Sequence, residues 1–442
     1  MNEQEFATLP TKTVFFRCAV PGLLAMVVSS IYTMVDGIFV GNLIGSQALA
    51  AVNLAFPILM ILFAVGDMVA VGSSVKIALA LGEKDEQTAN RIFSAAFCMI
   101  LGIGVLFSVI GFLFAPTWIN YLIKDRVLAD MAWDYIRSFL YFLPIIMPLF
   151  AVDNYLRICG KAMFSMYLNI AVEVLNILLD FLFLVVWRLD IRFAAIGSAM
   201  SMSVGVFIAI IPFLRKKLTL RFTKPKISWA TIGGIFYNGS SEFFSNIAGS
   251  SMATVVNGFL LYLGGGIAVA AHGIVVYVDS LLSTMLYGMM DALQPPVSYN
   301  VGAGNRKKTY EFFRMSCVVT ALLSFAFLAV MVCFPEALAS LFLQENTDDV
   351  LAVTKMALRL YAPAYLFMWL NMVISSFLTA MDKAKESLLI MLFRSVIFPM
   401  IGLLVLPRIW GVNGIFVTPA IASAWTCIIA CVTWRKASKK WA

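Results

Sequence analysis

Charge is scarce in this chain. Only 13% of its 442 residues are Asp, Glu, Lys or Arg, and it has a single histidine, His272. Soluble proteins carry roughly 25% charged and about 45–50% apolar residues, whereas 62% of this chain is hydrophobic. Two or three soluble domains of this length have too little interior to hide that much apolar surface. A soluble enzyme and a disordered chain are therefore excluded. The seven cysteines form no C-x-x-C pair, which speaks against a disulfide scaffold and a zinc site. H-E-x-x-H, aspartate-rich diphosphate and phosphate-loop motifs are missing as well, so neither an intramembrane enzyme nor direct ATP drive is favoured. No cofactor is expected.

Long apolar runs are what the chain has instead. A helix needs ~20 mainly apolar residues to cross the hydrocarbon core, and twelve stretches qualify: 14–37, 48–81, 92–115, 132–156, 163–187, 193–214, 228–263, 267–301, 315–335, 356–381, 387–407 and 409–434. They are too continuous for the short alternating strands of a membrane barrel. Glu3, Glu5, Lys12 and Arg17 flank the first stretch, and no A-x-A-like site follows; it reads as a retained span rather than a signal peptide. Twelve spans put both termini on one side of the membrane. With that side cytoplasmic, 22 Lys/Arg face the cytoplasm and 8 the other side, while Lys76 and Arg394 lie within spans. This is the positive-inside bias. The basic cluster Arg215, Lys216, Lys217, Arg221, Lys224, Lys226 then reports topology and implies no nucleic-acid partner. The expected location is a cell (inner) membrane, with both termini cytoplasmic.

The chain also repeats itself. SSIYTMVDG at 29–37 and SSMATVVNG at 250–258 share five of nine residues, and Gly82 matches Gly302, Ser165 matches Ser387 and Gly197 matches Gly414 at nearly the same offset. The expectation is an all-α integral membrane protein whose twelve transmembrane helices form two six-helix bundles. The N-terminal lobe would span 1–214, a cytoplasmic linker 215–227 and the C-terminal lobe 228–442. Six is even, so the repeat is parallel, with its pseudo-two-fold axis along the membrane normal. A cleft between two bundles that can rock suggests alternating access.

An ionised side chain at mid-bilayer costs ~2.5–3.5 kcal/mol on insertion scales, so each one calls for a reason. Asp36, Asp67, Asp153, Glu173, Asp180, Glu242, Asp279 and Asp291 fall within spans. Spans 3, 6, 9 and 12 carry no charge, and the third helix of each triplet is expected on the outside. Asn169, Glu173, Asn176 and Asp180 are spaced by 4, 3 and 4, which puts them on one helical face. Asp36 precedes a glycine ladder, Gly37, Gly41 and Gly45, suited to close helix approach; span 4 offers Asp153 and Asn154, and span 6 offers Ser198. Carboxylate, amide and hydroxyl oxygens suit a proton or a hard monovalent cation and not a transition metal. Mutual hydrogen bonding that merely holds the bundle together is the competing explanation.

The second half lacks this set. Asn257 stands opposite Asp36, and Phe398 and Gly402 stand opposite Asn176 and Asp180. Pro21, where span 1 can kink, aligns with Glu242. The C-terminal half carries Glu242, Asp279, Tyr287 and Asp291 instead; these either face substrate or pair with Arg394.

Pro21 and Asp36, the D-G-I-F-V-G-x-L-I-G run at 36–45, Asn176 with Asp180, and G-E-K-D at 82–85 together resemble the multidrug and toxic compound extrusion (MATE) transporters, most closely their DinF-like and MepA-like bacterial branches. The resemblance covers essentially the whole chain. It implies a cation-coupled (H⁺ or Na⁺) antiporter that exports organic cations or drugs, working as a monomer in a lipid bilayer. Asp36 would be the principal proton- or sodium-binding carboxylate and Pro21 the kink that follows its charge. Asn176, Asp180, Ser198 and Asn154 or Asp153 would complete the site, with Na⁺ possible at Asp36, Asn176 and Asp180. Glu173, Glu242, Asp279, Tyr287 and Asp291 would line the substrate cavity. A lipid-linked saccharide flippase of the same superfamily, which would prefer basic residues in the cleft, and an intramembrane enzyme are the alternatives.

Overall fold

The computed structural model describes residues 1–39, 43–342 and 348–439, and its described residues form helices and their connections with no strand. A short α1 (Glu5–Thr8) precedes α2 (Thr11–Phe39), α3 (Ser46–Gly82) and α4 (Glu86–Leu122). The bent pair α5 (Arg126–Ile146) and α6 (Pro148–Ile158) follows, then α7 (Ala162–Asp180) and α8 (Ile191–Leu214). The second half holds α9 (Trp229–Gly302), α10 (Arg306–Cys333), a short α11 (Pro335–Ser340), α12 (Asp348–Tyr361) and α13 (Met368–Ala380). It ends with α14 (Ala384–Leu392), α15 (Phe398–Trp410) and α16 (Val412–Lys439).

Ten helices among the described residues are long and apolar enough to cross a membrane, and α12 with α13 forms an eleventh, bent by 44°. The 74 residues of α9 are two spans joined at Gly265, whose φ of 65° and ψ of −163° break the helix in a region open to glycine. Counting its arms separately gives the expected twelve. Helices run past the apolar stretches because polar caps continue them beyond the hydrocarbon. Asp85 accepts the Thr88 N–H at 3.0 Å ahead of α4, and this bonding holds its carboxyl below the usual carboxylate range.

Where the two halves meet, glycines let backbones touch. A Cβ on Gly82 would lie 2.2 Å from the Tyr299 carbonyl oxygen, and one on Gly302 2.1 Å from that of Leu79. Those two glycines are repeat partners, so α3 and the second arm of α9 cross symmetrically. A Cβ on Gly72 would lie 2.0 Å from Ile235 O, one on Gly239 1.8 Å from Met68 O, and one on Gly22, beside Pro21, 2.3 Å from Gly288 O. The halves are thus pressed together from the end bearing both termini up to the level of Pro21. The N-terminal segment straps that end. Glu3 accepts from Thr219, the Phe6 carbonyl accepts from Asn300 Nδ2 at 3.0 Å, Lys308 reaches the Leu9 carbonyl, and Thr11 donates to Glu311.

Two expectations change here. The uncharged third helices are not all peripheral: α4 is only 11% buried along its apolar window, but α8 is 56% and α16 44%. In α8 the small residues Ala194, Ala195, Gly197, Ser198, Ala199, Ser201, Ser203 and Gly205 are buried, and such residues permit close helix contact without any charge. Of the glycine ladder, Gly45 does not serve a close approach. A Cβ on Gly45 would meet nothing within 4 Å, and its φ of +119° marks a turn before α3; Gly41 lies outside the described residues.

Gly239→Ala tests the crossing. The intruding atom faces a backbone carbonyl that no side-chain rotation can move, and overpacking of this kind costs ~1–3 kcal/mol. The purified variant should melt several degrees below a Gly258→Ala control, whose Cβ meets nothing within 4 Å. Equal melting temperatures would contradict the close packing.

Candidate functional site

The acid face of span 5 does gather a site, on α2, α7 and α8. Tyr32 of α2 is its hub: its hydroxyl accepts from Asn176 Nδ2 at 2.8 Å and lies 3.2 Å from Ser198 Oγ. Ser198 in turn donates to Asn176 Oδ1 at 3.4 Å. One turn on, the Asp36 and Asp180 carboxyls face each other. Asp180 is fully buried, and among the described residues neither of its oxygens has a hydrogen-bond donor. Gly197 brings α8 close, since a Cβ there would sit 3.0 Å from Asp180 Oδ1. Tyr135 of α5 lies within electrostatic reach of both acids, and Glu173 sits beside Ser29, within reach of Asp36. A π-helical turn, Phe181–Val186, follows Asp180 directly, the kind of irregularity often found at functional sites. Nearby oxygens are all hard donors, which fits a proton or an alkali cation. Among the described residues no group of three His, Cys, Asp or Glu could hold a metal.

Three residues expected here, Asp153, Asn154 and Asn169, sit elsewhere. Asp153 pairs with Arg157 at 2.6 Å, accepts from Ser165, and takes Asn169 Nδ2 at 2.9 Å. Arg157, which the sequence places in a loop, is 5% exposed. Asp153 is therefore a neutralised structural acid, and Asn169 belongs with it rather than with Asp180. Asn154 is half-buried on α6, with no hydrogen bond to the Tyr32–Asp180 group among the described residues.

The C-terminal acids divide into two places. Glu242, Tyr287, Asp291 and Arg394 line one cavity of about 20 Å³ with Ser241 and Ser245, room for an ion or a water but not a drug. Arg394 Nη2 donates to the Tyr287 hydroxyl at 2.7 Å and sits 5.9 Å from that ring's centre. Asp67 reaches the same region from α3, accepting from Asn246 at 3.2 Å. Asp279 is drawn away from it. Its Oδ1 accepts from Tyr365 at 2.7 Å and its Oδ2 from Ser283 at 3.3 Å. Asn257, opposite Asp36 in the repeat, contacts His272 Nδ1 at 3.2 Å instead of an acid.

One family model, MatE, matches residues 21–182 and again 243–404. The chain belongs to the MatE family. The matched stretches stand to each other as Ser165 stands to Ser387. Multidrug export protein MepA of Staphylococcus haemolyticus is 24% identical over 437 residues, covering 97% of this chain and 95% of the relative. Its Staphylococcus aureus (strain MSSA476) namesake is 21% identical over 438 residues, covering 96% and 93%. Two solved structures, each 21% identical, show the same fold. One, described as the outward-facing conformation of a multidrug resistance MATE family transporter, has a TM-score of 0.93 and covers 99% of this chain and 98% of its own. The other, a transporter from Pyrococcus furiosus described by the reverse polarity of its binding pocket, has a TM-score of 0.90 and covers 99% and 97%. A MatE chain is a transporter, which sets the intramembrane-enzyme alternative aside.

In this MatE chain, sequence reasoning passed over Tyr32, Tyr135, Asp67 and Arg157 as site groups. Two had a helical signal. Tyr32 stands four residues before Asp36 and Arg157 four after Asp153, the spacing of one helix face. Tyr135 and Asp67 are joined to their sites only by tertiary packing. The Asp36–Asp180 arrangement makes a stability prediction. Asp180→Asn replaces a donor-less carboxylate by an amide that can donate to Asp36, so the variant should melt higher than wild type at neutral pH. Tyr32→Phe strands Asn176 and Ser198 and should lower stability by ~1–2 kcal/mol. Differential scanning fluorimetry of the purified proteins reads both, and a lower melting temperature for Asp180→Asn would contradict the geometry.

Proposed function

We propose that the chain is a cation-coupled antiporter that exports organic cations by alternating access of its two lobes. The observation that carries this reading is Asp180, fully buried beside Asp36 and without a donor to either oxygen among the described residues. Burying an ionised carboxylate without donors is costly, and two acids without a base are poor structural glue. A proton or Na⁺ between Asp36 and Asp180, with Asn176, Ser198 and the Tyr32 hydroxyl nearby, relieves that cost.

The end bearing both termini is taken as cytoplasmic, from the 22 to 8 distribution of basic residues. The glycine crossings then close the inner side, and this is an outward-facing arrangement. Cation entry into the N-terminal lobe (1–214) changes the α2 packing around Pro21, which lies beside the Gly22–Gly288 crossing with the C-terminal lobe (228–442). One charge crossing the full membrane field gains ~2.3 kcal/mol per 100 mV, enough to bias export. An organic cation is drawn toward the C-terminal lobe, where Glu242 and Asp291, with Asp67 reaching in from α3, outnumber Arg394 and favour a positive group. The relatives' names supply the word multidrug. Lys76 and Arg157 are neutralised by Asp382 and Asp153, so the basic cleft that a saccharide flippase would prefer is not supported.

The test is dye efflux from proteoliposomes under separately imposed H⁺ and Na⁺ gradients. One gradient should drive efflux of a fluorescent organic cation. Asp36→Asn should lower that rate by about tenfold or more, equal to ~1.4 kcal/mol, while Glu242→Gln raises the dye KM and keeps the gradient dependence. Unchanged efflux in Asp36→Asn, or efflux driven by ATP alone, would overturn the reading.

A further inference from the structure

Lys76 is a basic residue inside a membrane span that the coupling site does not use. It lies on α3 six residues before Gly82, about 9 Å from that helix end. Its ammonium crosses to the C-terminal lobe and pairs with Asp382 Oδ2. Asp382 occupies the turn between α13 and α14 with a left-handed φ of 58°. Its other oxygen, Oδ1, accepts from Asn238 Nδ2 at 2.8 Å, and the same amide reaches the Thr379 carbonyl at 3.3 Å. Each carboxylate oxygen is thus held from a different lobe.

The surroundings are shaped for this pair. A Cβ on Gly234 would lie 3.4 Å from Lys76 Cε and 3.6 Å from Nζ, so Gly234 leaves the floor on which the lysine rests. Gly72 and Gly239, one turn away on either helix, press backbone against backbone. The arrangement is also one-sided. Gly160 stands opposite Asp382 in the repeat, with a similar φ of +72° but no side chain, and the second arm of α9, opposite α3, carries no Lys or Arg. A feature the repeat does not need twice is not a requirement of the fold. The ion pair is also part-exposed, the two side chains retaining 25% and 30% of their accessibility, so water can reach it and it can open.

We infer that Lys76, Asp382 and Asn238 form a polar latch holding the two lobes together at the termini-bearing end, broken and remade in each transport cycle. The inference rests on the alternating-access reading above. It makes Lys76 and Asp382 positioning residues of the conformational change, which touch neither the coupling cation nor the substrate.

Hydrogen–deuterium exchange on the purified, lipid-reconstituted protein tests it without any substrate or gradient, so its outcome does not depend on whether dye efflux is found. In Lys76→Met and Asp382→Asn, amide exchange in 70–82, 234–242 and 378–386 should rise about tenfold, the mark of local opening. Exchange around Tyr32 and Asn176, inside the N-terminal lobe, should stay at the wild-type rate. Lys76→Arg, and the exchanged pair Lys76→Asp with Asp382→Lys, should restore protection. Wild-type exchange in Lys76→Met would overturn the latch. So would a rise spread evenly over both lobes, which marks general destabilisation.

Discussion

A charge in hydrocarbon must be neutralised, hydrogen-bonded or put to use, and this constraint sorts the acids and bases that the spans carry. Asp153 is neutralised by Arg157 and surrounded by Ser165 and Asn169. Asp279 is held by Tyr365 and Ser283, and Lys76 is matched by Asp382. Asp180 is fully buried with no donor to either oxygen among the described residues, and a charged group that acts on it is another acid, Asp36. The remaining polar groups follow from that exception. Tyr32 ties Asn176 to Ser198 at the acids' edge, and Gly197 admits α8 to within van der Waals contact of Asp180.

The asymmetry between lobes matters as much as the acids. Two halves built on one repeat cross through paired glycines, Gly82 and Gly302, so the scaffold is symmetric at that crossing. Its chemistry is not. The first half keeps Asp36 and Asp180 where the second has Asn257 and Gly402, and the second keeps Glu242 where the first has Pro21. In the proposed cycle, this inequality is what would let a cation bound in one half act on a substrate held by the other.

Much of this was legible in the residues. Apolar runs set the helices, because a bilayer makes span length nearly independent of tertiary detail, and helical spacing alone brought Asn176 and Asp180 to one face. Roles that depend on partners from distant helices were not legible. Asp153 looked like a coupling acid until Arg157, four residues on, proved to be folded back into the lobe. Absence of charge misplaced α8, because alanine, glycine and serine bury a helix as firmly as an ion pair does. Asp67 and Tyr135 carry no local pattern that links them to Glu242 or to Asp36.

The central claim is that a cation bound at Asp36 and Asp180 and an organic cation bound in the cleft exclude each other. The most direct measurement is the affinity of the purified protein for a lipophilic monocationic dye as pH falls or Na⁺ rises. The account predicts that affinity weakens along one of these axes in the wild type and becomes independent of both in Asp36→Asn. A wild-type affinity insensitive to both, or a dependence that survives unchanged in Asp36→Asn, would contradict it.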